Sequence, residues 1–183
     1  MRNTLGGPRG GDEATAGREA VDLIIREARA DDAAAILGVL NPIIAAEAVA
    51  FDAPLTEADE RSYIAGFPAR GVFHVALRDG ELVGFQSLEP FATYTRLFDH
   101  VGVLGTYVAA ACRRRGVATR LFAATFAAAR AKGYEKLFTY VRADNSAALA
   151  AYEAQGFRLV GRAERHLKAG DRYVDEIIVE RFL

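Results

Sequence analysis

A single cysteine, Cys112, stands in a chain of 183 residues. With no second thiol there is no disulfide framework, and a reducing compartment suits the protein. Histidine is nearly as scarce, at three scattered positions, so no Cys/His spacing for a metal ion is present. Charge of either sign is not in excess: Lys and Arg number 23 against 24 Asp and Glu, a net charge of -1. No overall field draws the chain to nucleic acid or to a membrane. Apolar runs fall short of the ~20 residues of a membrane span, and the first residues lack the apolar centre of a secretory signal. The cytoplasm is therefore the expected location. Neither GxxxxGK[ST] nor GxGxxG occurs, which removes the P-loop and the dinucleotide fingerprint.

What is present is apolar content of 51%, enough for the core of one ordinary domain. Residues 1–20 are rich in Gly and charge and poor in large apolar groups, so a disordered leader is expected there, followed by a single domain over 21–183. Leu23–Arg26 reads as a short strand. Asp31-Asp32 opens a helix carrying Ile36, Leu37, Val39 and Leu40, and Asn41-Pro42 is expected to interrupt it. Thr56 begins a second helix that runs through Ile64. Val72–Leu77 and Glu81–Phe85 flank Asp79-Gly80, a hairpin signal. His74, inside the first of these strands, is expected to be half-buried or to face solvent. The second continues to Glu89 and stops at Pro90. Lys136–Val141 reads as a buried strand, Asp144-Asn145-Ser146 as the cap of a short helix that ends at Gly156-Phe157, and Arg158–Leu167 with Tyr173–Phe182 as two antiparallel strands.

The stretch Val103–Gly133 is the most informative. An apolar strand ending in Tyr107-Val108 precedes a helix whose one side carries Val117, Leu121, Phe122, Thr125 and Phe126. With the strand after it, this helix makes a crossover that implies two parallel strands. Between strand and helix lies Arg113-Arg114-Arg115-Gly116-Val117-Ala118-Thr119. A helix N-terminus carries about half a positive charge and favours acids or a Ser/Thr/Asn cap; here it receives three arginines and a glycine. A bound phosphate resolves that conflict, since its oxygens can accept from the free amides and lie among the guanidiniums. Cys112, beside the arginines, has no His or Asn constellation to make it a nucleophile and reads as an incidental thiol.

Arg113-x-x-Gly116-x-Ala118 after a strand, together with Asn145-Ser-Ala-Ala-Leu-Ala-Ala-Tyr152-Glu-Ala-Gln-Gly156-Phe157 downstream, resembles the GCN5-related N-acetyltransferases (GNAT). The early segment, with Asn41-Pro42-Ile43-Ile44 and Phe51, is most similar to the phosphinothricin-acetyltransferase-like branch. The resemblance implies a GNAT fold of mixed α and β structure. In it a twisted, mostly antiparallel sheet has a central parallel strand pair splayed at the acyl-CoA site, with helices on both faces. It implies acetyl-CoA as cosubstrate, no metal, and acetyl transfer to a primary amine of a small, amino-acid-like molecule in a ternary complex. It places Arg113, Arg114, Arg115, Gly116, Val117, Ala118 and Thr119 at the diphosphate. Backbone groups of Tyr107 and Val108 fall at the pantetheine arm and thioester, Asn145 beside that arm, and Tyr152 as the acid for the leaving thiolate. Glu47 and Phe51 fall at the lip of the acceptor pocket. The branch's glutamate before the Tyr-Val pair is absent from Val103–Val108, and its following proline is replaced within Ala109–Ala111. Glu89, Asp99 and His100 are the candidate replacements for the missing base, with a water relay to bulk solvent as the equal alternative. A peptide or aminoglycoside acceptor, or a domain that binds acyl-CoA without turnover, are the alternatives; a homodimer is left open, and neither nucleic acid nor membrane is an expected partner.

Overall fold

The computed structural model describes residues 23–46 and 49–183; the expected leader lies outside them. The chain runs β1 (Leu23–Glu27), α1 (Ala33–Ala45), α2 (Glu57–Ala65), β2 (Val72–Arg78), β3 (Glu81–Pro90), β4 (Val101–Val108), α3 (Val117–Ala131), β5 (Lys136–Arg142), α4 (Ser146–Ala154), β6 (Arg158–Ala169) and β7 (Arg172–Phe182). One seven-stranded sheet has the order β1-β2-β3-β4-β5-β7-β6. Every neighbouring pair is antiparallel except β4 and β5, which are parallel. The β2–β3 hairpin turns on Asp79 and Gly80, both at positive φ (52° and 84°), as the tight hairpin turn with two left-handed residues requires.

Helices cover both faces because each offers one apolar stripe. Ile36, Val39, Leu40, Ile43 and Ile44 of α1 pack with Phe73, Val75 and Phe85 on one face. On the other, Phe122 and Phe126 of α3 pack with Leu88, Leu104, Leu137, Tyr152 and Phe157. Gly133, at φ 81°, ends the α3 segment as expected.

Two expectations are corrected. The first helix is not broken at Asn41-Pro42: α1 runs through Pro42 to Ala45. Proline costs a helix interior ~3 kcal/mol, partly from collision with the turn before it. The carbonyl it meets belongs to Gly38, which is exposed, so it can tilt outward to water. Burial of Ile43 and Ile44 beyond the proline outweighs what remains. Asn41 clamps the following loop instead, with its carboxamide donating to the Leu55 carbonyl and accepting from the Leu55 amide, both at 3.0 Å. His74 is neither half-buried nor solvent-facing. It is buried against α3, where its Nδ1 meets Thr125 Oγ1 at 3.0 Å, and burial holds its pKa below the usual histidine value.

The feature that creates a site is the β4–β5 pairing. It covers only Val101↔Lys136, Gly102↔Leu137 and Val103↔Phe138. Beyond Val103 the strands part, while β4 stays paired with β3 through Val108 and β5 with β7 through Arg142. The gap therefore opens between two hydrogen-bonded half-sheets. Its closed end is packed tightly: a Cβ on Gly102 would lie 2.5 Å from Leu88 Cδ1.

Candidate functional site

The loop before α3 leaves its amides open. Gly116 is the N-cap residue at φ 78°, no side chain caps the helix, and no acid lies in the first turn. Arg114 is also left-handed, at φ 59°, so the chain winds through two left-handed residues into the helix and leaves backbone N–H groups facing outward. Arg113, Arg114, Arg115, Gly116 and Thr119 are exposed, whereas Val117 is buried and Ala118 partly so. The Val117 side chain belongs to the core, and only its amide can serve a ligand. Nothing lies within 4 Å of a Cβ built on Gly116. The loop is braced from below: Arg113 Nε donates to the Val108 carbonyl (3.4 Å), and Arg78 Nη2 donates to the Arg115 carbonyl (3.1 Å). An exposed cationic loop over bare amides suits a diphosphate.

Backbone groups along β4 decide what the gap offers. Ala109 N–H donates to the Val83 carbonyl at 2.9 Å. Antiparallel alternation then turns the backbone of Tyr107 towards β3 and that of Thr106 and Val108 towards the gap. Of the expected Tyr107-Val108 pair, only Val108 therefore presents its backbone there. The Tyr107 ring instead stacks on Phe85, centroids 4.7 Å apart, and packs over Gly105, where a Cβ would meet it at 3.1 Å.

A cleft of about 490 Å³ fills the gap and reaches both faces of the sheet. Its α4 wall holds Tyr152, Asn145 and Ala148. Asn145 Oδ1 accepts from the Ala148 amide at 3.1 Å and caps α4. Tyr152 is buried, against the rings of Phe122 and Phe157. Its hydroxyl donates to Thr106 Oγ1 at 3.2 Å, and Gln86 Nε2 donates to the same oxygen at 2.8 Å. Burial pushes the Tyr152 phenol up to about 12, with the Thr106 and Thr139 hydroxyls working in the opposite direction.

The α1/α2 wall holds Glu89, Ser87, Tyr63, Val49 and Phe51. Tyr63 Oη donates to Glu89 Oε1 at 2.6 Å, and burial with that bond pushes the Tyr63 phenol upward. Glu89 is the cross-strand partner of Val103, so a carboxylate stands beside the stretch of β4 that has none. His100 is not brought here. It is exposed at the paired end of β4 and β5, where its carbonyl accepts from the Glu135 and Lys136 amides. Asp99 pairs with Arg70 (3.0 Å) and Arg96 (3.3 Å) and does not line the cleft. Glu47 lies outside the described residues. Tyr63, Gln86 and Thr106 escaped the sequence reading as site residues. Thr106 had a signal, since period 2 puts it on the face opposite Tyr107; Tyr63, 26 residues from Glu89, had none.

No curated protein matches the sequence. Solved structures do. Over 87% of this chain and 99% of the other, it superposes with a TM-score of 0.80 and 25% identity on the ribosomal-protein-alanine N-acetyltransferase from Brucella melitensis. A GCN5-related N-acetyltransferase from Kribbella flavida gives 0.76 and 27% identity over 88% and 98%. The phosphinothricin acetyltransferase from Sinorhizobium meliloti, solved with acetyl-CoA, gives 0.81 over 88% of each chain at 19% identity, a likeness of fold. The model of the Acetyltransferase (GNAT) family matches residues 40–157, from the end of α1 through the whole of the gap to the residue before β6. By that match the chain belongs to the GNAT family and is an acetyl-CoA-dependent N-acetyltransferase.

Proposed function

We propose that the enzyme transfers acetyl from acetyl-CoA directly to a primary amine of a small, amino-acid-like molecule in a ternary complex. The observation that carries this reading is the cleft running from the Glu89–Tyr63 pair on one face to the Tyr152 hydroxyl on the other. Its volume of about 490 Å³ suits a small ligand. Arg113, Arg114 and Arg115, with the amides of Gly116, Val117, Ala118 and Thr119, hold the diphosphate. The Val108 N–H meets the pantetheine arm, its carbonyl being held by Arg113, and Asn145 borders the arm.

The acceptor enters on the Glu89 side. Glu89 draws the ammonium form in and takes its proton, so that the neutral amine attacks the thioester carbonyl. A C–N bond forms, the nitrogen gives its second proton to water, the C–S bond breaks, and the thiolate leaves next to Tyr152. A thiol near ~8.5 against a phenol at about 12 makes full proton transfer uphill by roughly 5 kcal/mol. Tyr152 therefore acts chiefly by hydrogen bonding to the developing thiolate. Among the described residues, neither cysteine nor histidine lines the cleft, which favours direct attack over an acyl-enzyme.

A peptide N-terminus is the second reading, because the Brucella relative is named for an alanine acceptor in a protein. Thiol release from acetyl-CoA, measured over a panel of free amino acids, other small amines and alanine-ended peptides, separates the two. Turnover with free amino acids and little with peptides supports the proposal; the reverse order replaces it.

A further inference from the structure

Three polar side chains from three elements meet beneath the gap. Gln86 of β3 is fully buried and is the cross-strand partner of Thr106 of β4. Tyr152 reaches the same point from α4. Thr106 Oγ1 accepts from Gln86 Nε2 at 2.8 Å and from Tyr152 Oη at 3.2 Å, so both of its lone pairs are taken. Gln86 Oε1 is buried with no partner among the described residues. An apolar pair of the same shape would avoid that dead end, so the arrangement does more than fill the core.

Its chemistry allows one rearrangement. The Gln86 amide can only donate, so that bond is fixed. The Tyr152 bond can reverse, because each hydroxyl is both donor and acceptor. We propose that Thr106, held by Gln86, is the positioning residue for Tyr152: when the phenol turns its proton to the coenzyme sulfur, the Thr106 hydroxyl reverses and donates to the phenolic oxygen. The phenol thus keeps a partner in both states and becomes a better donor to sulfur as its own oxygen is hydrogen-bonded. No covalent bond is made or broken by Thr106. The inference rests on the role given to Tyr152 above.

Bound coenzyme A is the probe, because its thiolate absorbs in the ultraviolet and needs no acceptor amine. Besides Tyr152, the titratable and charged groups facing the gap among the described residues are Glu89, Tyr63, Tyr107, Tyr140, Arg142 and Glu176, and the variants leave all of them in place. The apparent pKa of the bound thiol is read in wild type, Thr106→Val, Thr106→Ser, Tyr152→Phe and the Val/Phe double variant. Thr106→Val raises it by about half a unit or more, Thr106→Ser restores it, and Thr106→Val adds nothing in the Tyr152→Phe background. If Tyr152→Phe shifts the titration but Thr106→Val leaves it at the wild-type value, the positioning role is overturned while that of Tyr152 stands. If Tyr152→Phe shifts nothing, the reading of Tyr152 falls and this inference with it. Should Thr106→Val not fold, Gln86→Met, which releases Thr106 to turn away, is read in the same way.

Discussion

Tyr152 shows how one side chain is read from two directions. Its seven-residue spacing from Asn145 singles it out in the sequence, and the fold puts its hydroxyl in the wall of the cleft. Tyr152→Phe is expected to lower kcat by about 10²-fold, with little change in KM for acetyl-CoA, as measured by thiol release. The same residue has a stability signature. Its phenol ionises near ~10 when unfolded and about 12 in place, so the neutral form is favoured by folding. That contribution, roughly 2–3 kcal/mol, is fully present below pH ~10 and is lost as pH rises through 12. Urea unfolding between pH 10 and 12 should therefore lose less stability in Tyr152→Phe than in wild type. Glu89 was legible only as one of three acids or bases ahead of the central strand. Cross-strand pairing with Val103 and the bond from Tyr63 separate it from Asp99 and His100, and neither is a local property of sequence. Glu89→Gln should cut turnover by about 10²-fold at neutral pH while leaving the Kd of acetyl-CoA unchanged; equal loss of both would move Glu89 out of the acceptor side.

Among the elements, α3 and its entry loop are the most transparent to sequence, because the rule they break is itself informative: three arginines where a helix start favours acids. Gly116→Ala meets no neighbouring atom, so its cost to the fold is the left-handed backbone alone, about 1–2 kcal/mol. Its effect on the Kd of acetyl-CoA, read by calorimetry, should be larger, about tenfold or more, because the methyl group enters the space above the amides. The opposite lesson comes from α1. Pro42 is a local signal for a break, and it is overruled by Ile43 and Ile44, whose burial lies on the far side of the proline. Pro42→Ala restores the missing amide donor to the Gly38 carbonyl and should stabilise the protein by about 1–3 kcal/mol in denaturant unfolding. His74 misled for a related reason: strand position gives the face, and only the packing of α3 says that this face is closed.

Over the whole molecule, the alternation of strands and helices and the parallel crossover follow from apolar periodicity. The order β5-β7-β6 does not, since two long strands with a tight turn could add to the sheet in either sequence. Nor does the place where β4 and β5 separate. That depends on Gly102, which lets the two half-sheets close on Leu88, Tyr134 and Leu137 at one end, while the β4–β5 pairing goes no further than Val103 at the other. Gly102→Ala should therefore destabilise by about 1–3 kcal/mol and weaken acetyl-CoA binding, although the residue touches no ligand. The separation of the strands is what brings a cationic loop, open backbone groups and the Tyr152 hydroxyl into one line. A crystal structure of the enzyme with coenzyme A tests that arrangement most directly. The diphosphate should lie on the amides of residues 116–119 and the sulfur within hydrogen-bonding reach of Tyr152 Oη, between β4 and β5. A coenzyme whose sulfur ends outside the gap, away from Tyr152, would contradict it.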